Sequence, residues 1–271
     1  MEKTKNSQEQ SWNLWGVRLN EVTSDEVLEK VDRWIGNGEK GKWLATINPE
    51  FVMAAAKDPG FLEILKKTDL NVIDGIGLIW AGEILKSRTK GIQRWLKALE
   101  TGVKILQGEE SKKIVAGADL IDRLCGMASE KGYSVFFLGG WGDRSVKTAN
   151  HFQKKYPQLK VAGSYGGRAD KDVADDEKLT ELFKKGPDIL FVAYGMKRQE
   201  EWIARNLEKT GAGAAMGVGR SFDYYSGDLK RAPESWRKAG FEWLYSLIKE
   251  PKRIKRQLQL PKFVWKVMTG K

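Results

Sequence analysis

Residues 188–195 read Asp-Ile-Leu-Phe-Val-Ala-Tyr-Gly, an uninterrupted apolar run that ends in glycine. A run of this length, rich in aliphatic and aromatic side chains and bounded by turn residues, predicts a strand buried on both faces. A helix is predicted to follow at about residues 199–206. Similar short strands are predicted at residues 42–47, 70–73, 134–140, 160–163 and 214–218. Strands that alternate with helices indicate an α/β fold, with a Rossmann-like, mostly parallel sheet covered by helices on both faces.

Towards the two ends of the chain the pattern changes. Residues 1–12 are polar and lack an apolar signal-peptide core, so we expect a disordered lead-in and a cytoplasmic protein. A first strand is predicted at residues 15–19, within an α/β domain that spans residues 13–227. Residues 228–271 are basic, aromatic and helical in pattern, which predicts an appendage outside the sheet. No apolar run approaches the roughly 20 residues that span a bilayer.

Composition limits the chemistry that the chain can carry. Lys and Arg outnumber Asp and Glu by 47 to 36, a net charge of +11, so an anionic partner is expected: nucleic acid, a phosphate-bearing substrate or anionic lipid. The single cysteine, Cys125, excludes an intramolecular disulfide, and its apolar neighbours predict a place in a helix core. The single histidine, His151, excludes a metal site with several histidine ligands. We therefore do not expect catalysis to depend on histidine.

Polar side chains stand where two of the predicted strands end. Asp74 follows strand 70–73 and precedes two glycines, Gly75 and Gly77, that allow a ligand close to the backbone. Such a carboxylate acts as a general base if its pocket raises its pKa; the alternative is a turn aspartate bonded to its own backbone. Thr46 and Asn48 end the preceding strand and are candidates to bond a sugar or to orient Asp74, because open α/β sheets bind ligands at the carboxyl ends of strands.

Three further positions are candidates for binding a phosphate-bearing ligand. Gly139 and Gly140 form a glycine-rich strand-to-helix turn that suits a phosphate, although a plain tight turn is equally consistent with the sequence. The helix start at residues 196–199 carries two cations and the amide of Gln199, a pattern that fits a diphosphate or a merely solvated helix start. Asp223 is a third polar group close to a strand end.

Taken together in order, these short motifs resemble the WecG/TagA/CpsF glycosyltransferase family over about residues 15–264. The motifs that carry the resemblance are Thr46-x-Asn48, Asp74-Gly75-x-Gly77, Ala116-Gly117-Ala118-Asp119-Leu120, Phe137-Leu138-Gly139-Gly140, Tyr156-Pro157, Pro187 to Val192, Gln199-Glu200-x-Trp202, Gly217-Val218-Gly219-x-Ser221-Phe222-Asp223, Arg231-Ala232-Pro233 and Phe241-Glu242-Trp243-Leu244-Tyr245 with Glu250-Pro251 and Arg253. Each motif is short, and their joint order makes the resemblance specific.

The resemblance implies an inverting enzyme that moves an N-acetylmannosamine-type sugar from a UDP-sugar donor to a polyprenyl-diphosphate-linked N-acetylglucosamine acceptor, with no cofactor and no metal. By position, Asp74 would be the catalytic base and Thr46 and Asn48 would line its pocket. The donor would be held by Gly139, Gly140, Gln199 and Asp223. The appendage would bind the anionic inner face of the plasma membrane and close over the site, bringing Arg231, Arg237 and Arg253 near the diphosphate.

Some positions depart from the family pattern. Ile114 stands where an arginine is usual, Lys197-Arg198 replaces Pro-Lys, Arg220 replaces a glycine, and residues 86–112 resemble an inserted helical segment. A catalytically impaired, membrane-bound scaffold is therefore one alternative. A nucleic-acid-binding protein is another, since +11 and eleven tryptophans also suit phosphate tracking and base stacking, but the terminal clustering of basic and aromatic residues favours a membrane and no nucleic acid.

The helical segment at residues 91–108 places apolar residues on one face among several cations. Packing of that face on the core is expected, with membrane contact, acceptor gating or self-association as alternatives. The sequence leaves a monomer and a homo-oligomer open.

Overall fold

The computed structural model describes residues 10–107, 114–167, 181–238, 242–250 and 258–270. Eight strands form a single sheet in the order β1-β2-β4-β3-β8-β7-β5-β6. The strands are β1 Ser11–Leu14, β2 Val17–Asn20, β3 Lys42–Ile47, β4 Leu70–Ile73, β5 Ser134–Gly139, β6 Lys160–Tyr165, β7 Ile189–Ala193 and β8 Ala214–Gly217. Only β1 and β2 pair antiparallel, and every other pairing is parallel, which confirms the predicted α/β class.

Twelve helices are described. They are α1 Ser24–Gly36, α2 Pro49–Ala55, α3 Pro59–Lys66, α4 Ile76–Lys86, α5 Gly91–Leu106, α6 Gly117–Lys131, α7 Arg144–Lys155, α8 Arg198–Thr210, α9 Ser221–Tyr225, α10 Glu234–Lys238, α11 Glu242–Lys249 and α12 Gln259–Thr269. The local sequence explains their starts: Thr23 and Glu26 form a capping box on α1, and proline opens α2 and α3.

The predicted first strand at residues 15–19 is wrong in its position. Trp15 and Gly16 have φ of 49° and 94° and form the tight turn of a β1–β2 hairpin, so the strand begins only at Val17. Asn13 Oδ1 accepts a hydrogen bond from Gly16 N at 2.7 Å and stabilises this turn. β1 starts at Ser11, inside the segment expected to be a lead-in, and residues 1–9 lie outside the described part of the chain.

Hydrophobic clusters cover both faces of the sheet. Successive residues of β7 alternate between them: Phe191 packs against α6 and α7 on one face, and Leu190 packs towards α8 on the other. Cys125 of α6 is fully buried in the first of these clusters, as predicted. The two covered faces leave the carboxyl ends of the parallel strands as the place where ligands can approach.

The C-terminal helices lie outside the sheet and pack on it through α12. Phe263, Val267 and Met268 of α12 are buried in the same cluster as residues of α2 and α4. The Phe263 ring meets Trp15 of the hairpin turn edge-on, with centroids 5.6 Å apart. Among the described helices, none combines the length and the apolar character required to cross a membrane.

Candidate active site

The predicted convergence of β3 and β4 is present. The two strands are parallel neighbours in a register that sets Thr46 beside Val72 and Ile47 beside Ile73. Asp74 N donates a hydrogen bond to Ile47 O at 2.7 Å, which continues the ladder by one step past the end of β4. Thr46, Asn48 and Asp74 therefore lie together at the carboxyl edge of the sheet.

Gly117, the first residue of α6, completes this corner of the site. Its backbone N lies 3.5 Å from Asp74 Oδ2, at the limit of a hydrogen bond. A Cβ on Gly117 would lie 3.2 Å from Thr46 Oγ1 and 3.6 Å from Asp74 Oδ2. The absence of a side chain at Gly117 thus keeps the Thr46 hydroxyl and the Asp74 carboxylate unobstructed.

The electrostatic environment of Asp74 suits a proton acceptor at neutral pH. Several effects together raise the pKa of its carboxyl to about 7: burial is the largest, the nearby negative charges of Glu242 and Asp119 act in the same direction, and the Gly117 N–H and Arg231 oppose the rise. A general base works best with a pKa close to the working pH. The carboxyl of Asp74 therefore has the raised pKa that the role of general base requires.

Asn48 has a structural role at the same edge. Its Oδ1 accepts hydrogen bonds from Glu50 N at 2.9 Å and Phe51 N at 3.2 Å, which caps α2. Asn48 follows the strand beside Asp74, and its amide oxygen is engaged in the cap of α2.

The segment that follows the α/β domain brings two arginines to the start of α6. Arg231 Nη2 donates to Asp119 Oδ2 at 3.0 Å, Arg231 Nη1 also bonds Asp119, and Arg231 Nε donates to Glu242 Oε1 at 3.0 Å. Arg237 Nη1 donates to Asp119 Oδ1 at 3.2 Å. Since Glu242 and Arg231 both act on the pKa of Asp74, this ion-pair cluster borders the corner of the site formed by Thr46, Asp74 and Gly117.

The glycine-rich turn after β5 has the backbone shape that its sequence predicts. Gly139 and Gly140 have φ of 96° and 80°, and Gly140 N donates to Ala193 O at 2.9 Å. A Cβ on Gly139 would come within 2.9 Å of the Ala193 carbonyl carbon. Glycine is therefore required by close packing on β7 as well as by backbone conformation.

Asp223, predicted to hold a donor, faces Arg144, a residue that was not among the predicted site residues. Arg144, the first residue of α7, donates from Nη1 to Asp223 Oδ1 at 2.6 Å and from Nε to Asp228 Oδ2 at 2.8 Å. Burial raises the pKa of Asp223, while Arg144 and Arg220 act in the opposite direction. The glycine-rich turn and Asp223 are thus joined through Arg144.

Gln199 is buried and bonded within the protein. Its Oε1 accepts from Gly219 N at 2.8 Å and its Nε2 donates to Glu200 Oε1 at 2.7 Å. Glu200 in turn accepts from Lys197 N at 2.8 Å, and burial raises its pKa to about 7. Gln199 therefore fixes the loop after β8 against the start of α8, and any contact with a donor would come from this fixed position.

Two of the remaining cations are paired with carboxylates. Lys197, which the sequence suggested for a diphosphate, pairs instead with Asp58 at the cap of α3, with Nζ and Oδ2 2.7 Å apart. Arg220 pairs with Glu250, and its guanidinium carbon lies 5.2 Å from the Tyr224 ring centroid.

Arg253 lies outside the described residues, as does an Asp-Lys-Asp triplet at residues 170–172. Ile114 packs as a partly buried residue against the α2–α4–α12 cluster and adds no charge. Among the described residues there is no group of three or more His, Cys, Asp or Glu side chains placed to hold a metal ion.

The expected core packing of α5 is wrong. The apolar side chains on one face of this helix are exposed to solvent, because the opposite face packs on the protein. The exposed residues are Ile92, Trp95, Leu96, Leu99 and Val103.

Comparison with known proteins identifies the family of the chain. The sequence model of the glycosyl transferase WecG/TagA/CpsF family matches residues 12–100 and 97–271. An N-acetylglucosaminyldiphosphoundecaprenol N-acetyl-β-D-mannosaminyltransferase of Bacillus subtilis is 30% identical over 94% of this chain and 89% of its own length. Proteins of the same name from Bacillus spizizenii and Staphylococcus aureus are 29% and 28% identical, over 84% and 96% of this chain and 79% and 92% of their own lengths.

Proposed function

This chain belongs to the WecG/TagA/CpsF glycosyltransferase family, and we propose that it transfers N-acetylmannosamine or a related sugar from a UDP-sugar to N-acetylglucosamine linked to a polyprenyl diphosphate. Its relatives are named for transfer to N-acetylglucosaminyldiphosphoundecaprenol. The observation that carries the proposal is the Asp74 carboxyl, which has a pKa of about 7 and lies beside Thr46 and Gly117 at the carboxyl edge of the sheet.

In the proposed reaction Asp74 removes the proton from the attacking hydroxyl of the acceptor sugar. The acceptor oxygen forms a bond to the anomeric carbon of the donor while the bond from that carbon to the diphosphate breaks and UDP leaves. Attack from the face opposite the leaving group inverts the anomeric centre. Thr46, whose hydroxyl borders the same space as Asp74, is placed to orient the acceptor.

The departing diphosphate needs positive charge, and two arginines supply it in this proposal. Arg237 Nε and Arg220 Nη1 are buried donors that have no hydrogen-bond partner among the described residues. A buried N–H without an acceptor is costly, so such groups favour an anionic ligand. The Arg231–Asp119–Glu242 cluster holds the segment that carries Arg237 against the α/β domain.

The proposal needs no metal, because guanidinium groups take over the neutralisation of the leaving group. The sequence nevertheless contains an Asp-x-Asp triplet at residues 170–172, a carboxylate pair of the kind that holds a divalent cation, and it lies outside the described residues. A chelator in the donor screen therefore tests metal independence directly.

We propose that the enzyme is a peripheral protein at the inner face of the plasma membrane, since its acceptor is anchored in a membrane by a lipid and the proposed donor is a cytoplasmic nucleotide sugar. The net charge of +11 supports attraction to an anionic leaflet.

A donor screen tests the function. The full chain is incubated with a lipid-diphosphate-linked N-acetylglucosamine analogue and, in turn, UDP-N-acetylmannosamine, its uronic acid, UDP-N-acetylglucosamine and UDP-glucose, with and without a chelator. Product formed from an N-acetylmannosamine-type donor in both buffers supports the proposal. Absence of product with every donor would refute the transferase function, and product only without chelator would refute metal independence.

A further inference from the structure

Helix α5 turns an apolar stripe away from the protein. Its five large apolar side chains on that stripe are between 46% and 73% exposed. The opposite face holds the helix in place: Trp80 Nε1 of α4 donates to Ala98 O at 3.0 Å, and Ala98 and Thr101 are buried. With 3.6 residues per turn, Ala98 and Thr101 lie roughly opposite Leu96, Leu99 and Val103. The stripe is therefore a solvent-facing surface and takes no part in the core.

Helix α12 continues this surface. Arg94 of α5 donates from Nη1 to Val267 O and Met268 O of α12, at 3.3 and 3.4 Å, which ties the two helices together. Eight of the twelve exposed large apolar side chains in the described part of the chain lie on these two helices or at the cap of α12. We call them the α5–α12 surface: Ile92, Trp95, Leu96, Leu99, Val103, Leu258, Val264 and Trp265.

Basic residues surround the α5–α12 surface. Residues 86–107 contain six Lys and Arg and one acidic residue, and residues 258–270 contain two lysines and no acidic residue. The net charge of these two segments together is therefore +7. Arg88, Lys90 and Lys262 are exposed at its margins. Exposed Trp and Leu among lysines and arginines are typical of helices that lie in the interface of an anionic bilayer.

The surface is mechanically continuous with the catalytic corner. α4 begins two residues after Asp74 and packs against α5. Phe263 of α12 comes within 4.0 Å of the position that a Cβ on Gly77 would occupy, in the first turn of α4. α4 has 11 residues. At 1.5 Å per residue, α4 is roughly 16 Å long, and it links the Asp74 loop to α5.

We propose that α5 is a membrane-docking helix, and that the α5–α12 surface lies in the headgroup region of an anionic bilayer so that Asp74 faces the diphosphate of a lipid-linked acceptor. The orientation of Asp74 in this arrangement rests on the proposed function, and the lipid contact itself does not. A second copy of the chain is the competing occupant. An isologous dimer would bring two basic surfaces against each other, whereas anionic lipid neutralises their charge.

Binding of the full chain to vesicles tests the docking, without donor or acceptor present. The variant Leu96→Glu/Leu99→Glu places two charges in the stripe. Val146→Glu is the matched control, since Val146 is an exposed apolar residue, 45% accessible, on α7 at the other end of the sheet. We expect the wild type to bind phosphatidylglycerol-containing vesicles, the control to bind within about twofold of it, and the double variant to bind at least about tenfold more weakly. Salt at about 0.5 M should weaken wild-type binding.

Equal binding by the double variant and the control would overturn the proposal, and so would a wild type that does not bind anionic vesicles. Sedimentation equilibrium tests whether a second copy of the chain covers the surface. If the wild type is a dimer, the double variant is a monomer and both bind vesicles equally, the surface serves self-association. Thermal unfolding tests whether the variants fold. A second measurement needs no charged substitution: it compares the quenching of tryptophan fluorescence by brominated lipid in the wild type and in Trp95→Phe. An inactive wild type in the donor screen would refute the transferase function and leave this result unaffected.

Discussion

Arg231 Nη2 donates a hydrogen bond to Asp119 Oδ2 at 3.0 Å, and this pair joins the segment after the α/β domain to the helix that begins beside Asp74. Glu242 accepts from the same guanidinium. The three charges form one network bordering the Asp74 carboxyl, so changes in any of them should be measurable at Asp74.

Replacement of Arg231 should impair both the site and its charge balance. Arg231→Ala removes a positive charge that lowers the pKa of Asp74, so we expect the acid limb of the pH profile of kcat/KM to move to higher pH. We also expect kcat/KM to fall about 100-fold, and Arg231→Lys to restore part of the loss. Arg123→Ala is the control, because Arg123 pairs with Asp25 on the surface. Equal profiles for Arg231→Ala and Arg123→Ala would contradict a role for this network.

Replacement of Glu242 should act in the opposite direction on Asp74. The negative charge of Glu242 raises the pKa of Asp74, so Glu242→Gln lowers that pKa and the acid limb of kcat/KM moves to lower pH. Asp25→Asn removes a surface carboxylate as the control and should leave the limb in place. A shift to higher pH in Glu242→Gln would contradict the assignment of the limb to Asp74.

A glycine at position 117 should be needed for activity more than for stability. An added methyl would press on Thr46 Oγ1 at 3.2 Å and approach Asp74 Oδ2 at 3.6 Å. Because small displacements of catalytic groups are costly, we expect Gly117→Ala to lower kcat about 10- to 100-fold with the melting temperature nearly unchanged. Gly36→Ala, at the end of α1, is the control, since its Cβ would lie 3.8 Å from the Tyr133 hydroxyl. Full activity of Gly117→Ala would show that the pocket is wider than this account requires.

Two carboxyls with raised pKa values should make the folded state less stable as the pH rises. Asp74 and Glu200 both have pKa values raised to about 7, above the ordinary values of 3.8 and 4.5, so the folded chain binds more protons than the unfolded chain between those limits. The stability they contribute is complete below about pH 4 and is lost as the pH rises through 7. We expect the melting temperature of Glu200→Gln to change less between about pH 5 and 8 than that of the wild type. An unchanged slope would mean that Glu200 titrates normally.

The strands and the position of Asp74 could be predicted from the sequence because each depends on local pattern. β3, β4 and β7 lie within a residue or two of their predicted bounds, since continuous apolar runs bounded by Gly, Pro and Asp allow few alternatives. The hairpin at Trp15 and Gly16 was missed, because a tryptophan with positive φ gives no turn signal of its own.

Pairings across the chain could not be predicted in the same way. Arg144 and Asp223 are separated by 79 residues, Arg231 and Asp119 by 112, and only the folded chain brings them together. The exposed stripe of α5 was misassigned for a related reason: an amphipathic pattern identifies an apolar face without saying whether protein or membrane covers it.

The central claim is that Asp74 is the base of a sugar transfer, and the most direct test compares wild type with Asp74→Asn. Transfer from UDP-N-acetylmannosamine to the lipid-diphosphate-linked N-acetylglucosamine analogue is measured as product over a pH range, with thermal unfolding of both proteins. The account predicts that wild-type activity rises through about pH 7 and that Asp74→Asn loses at least about 100-fold in kcat while being at least as stable as the wild type at pH 8. Product formation by Asp74→Asn at the wild-type rate would contradict it.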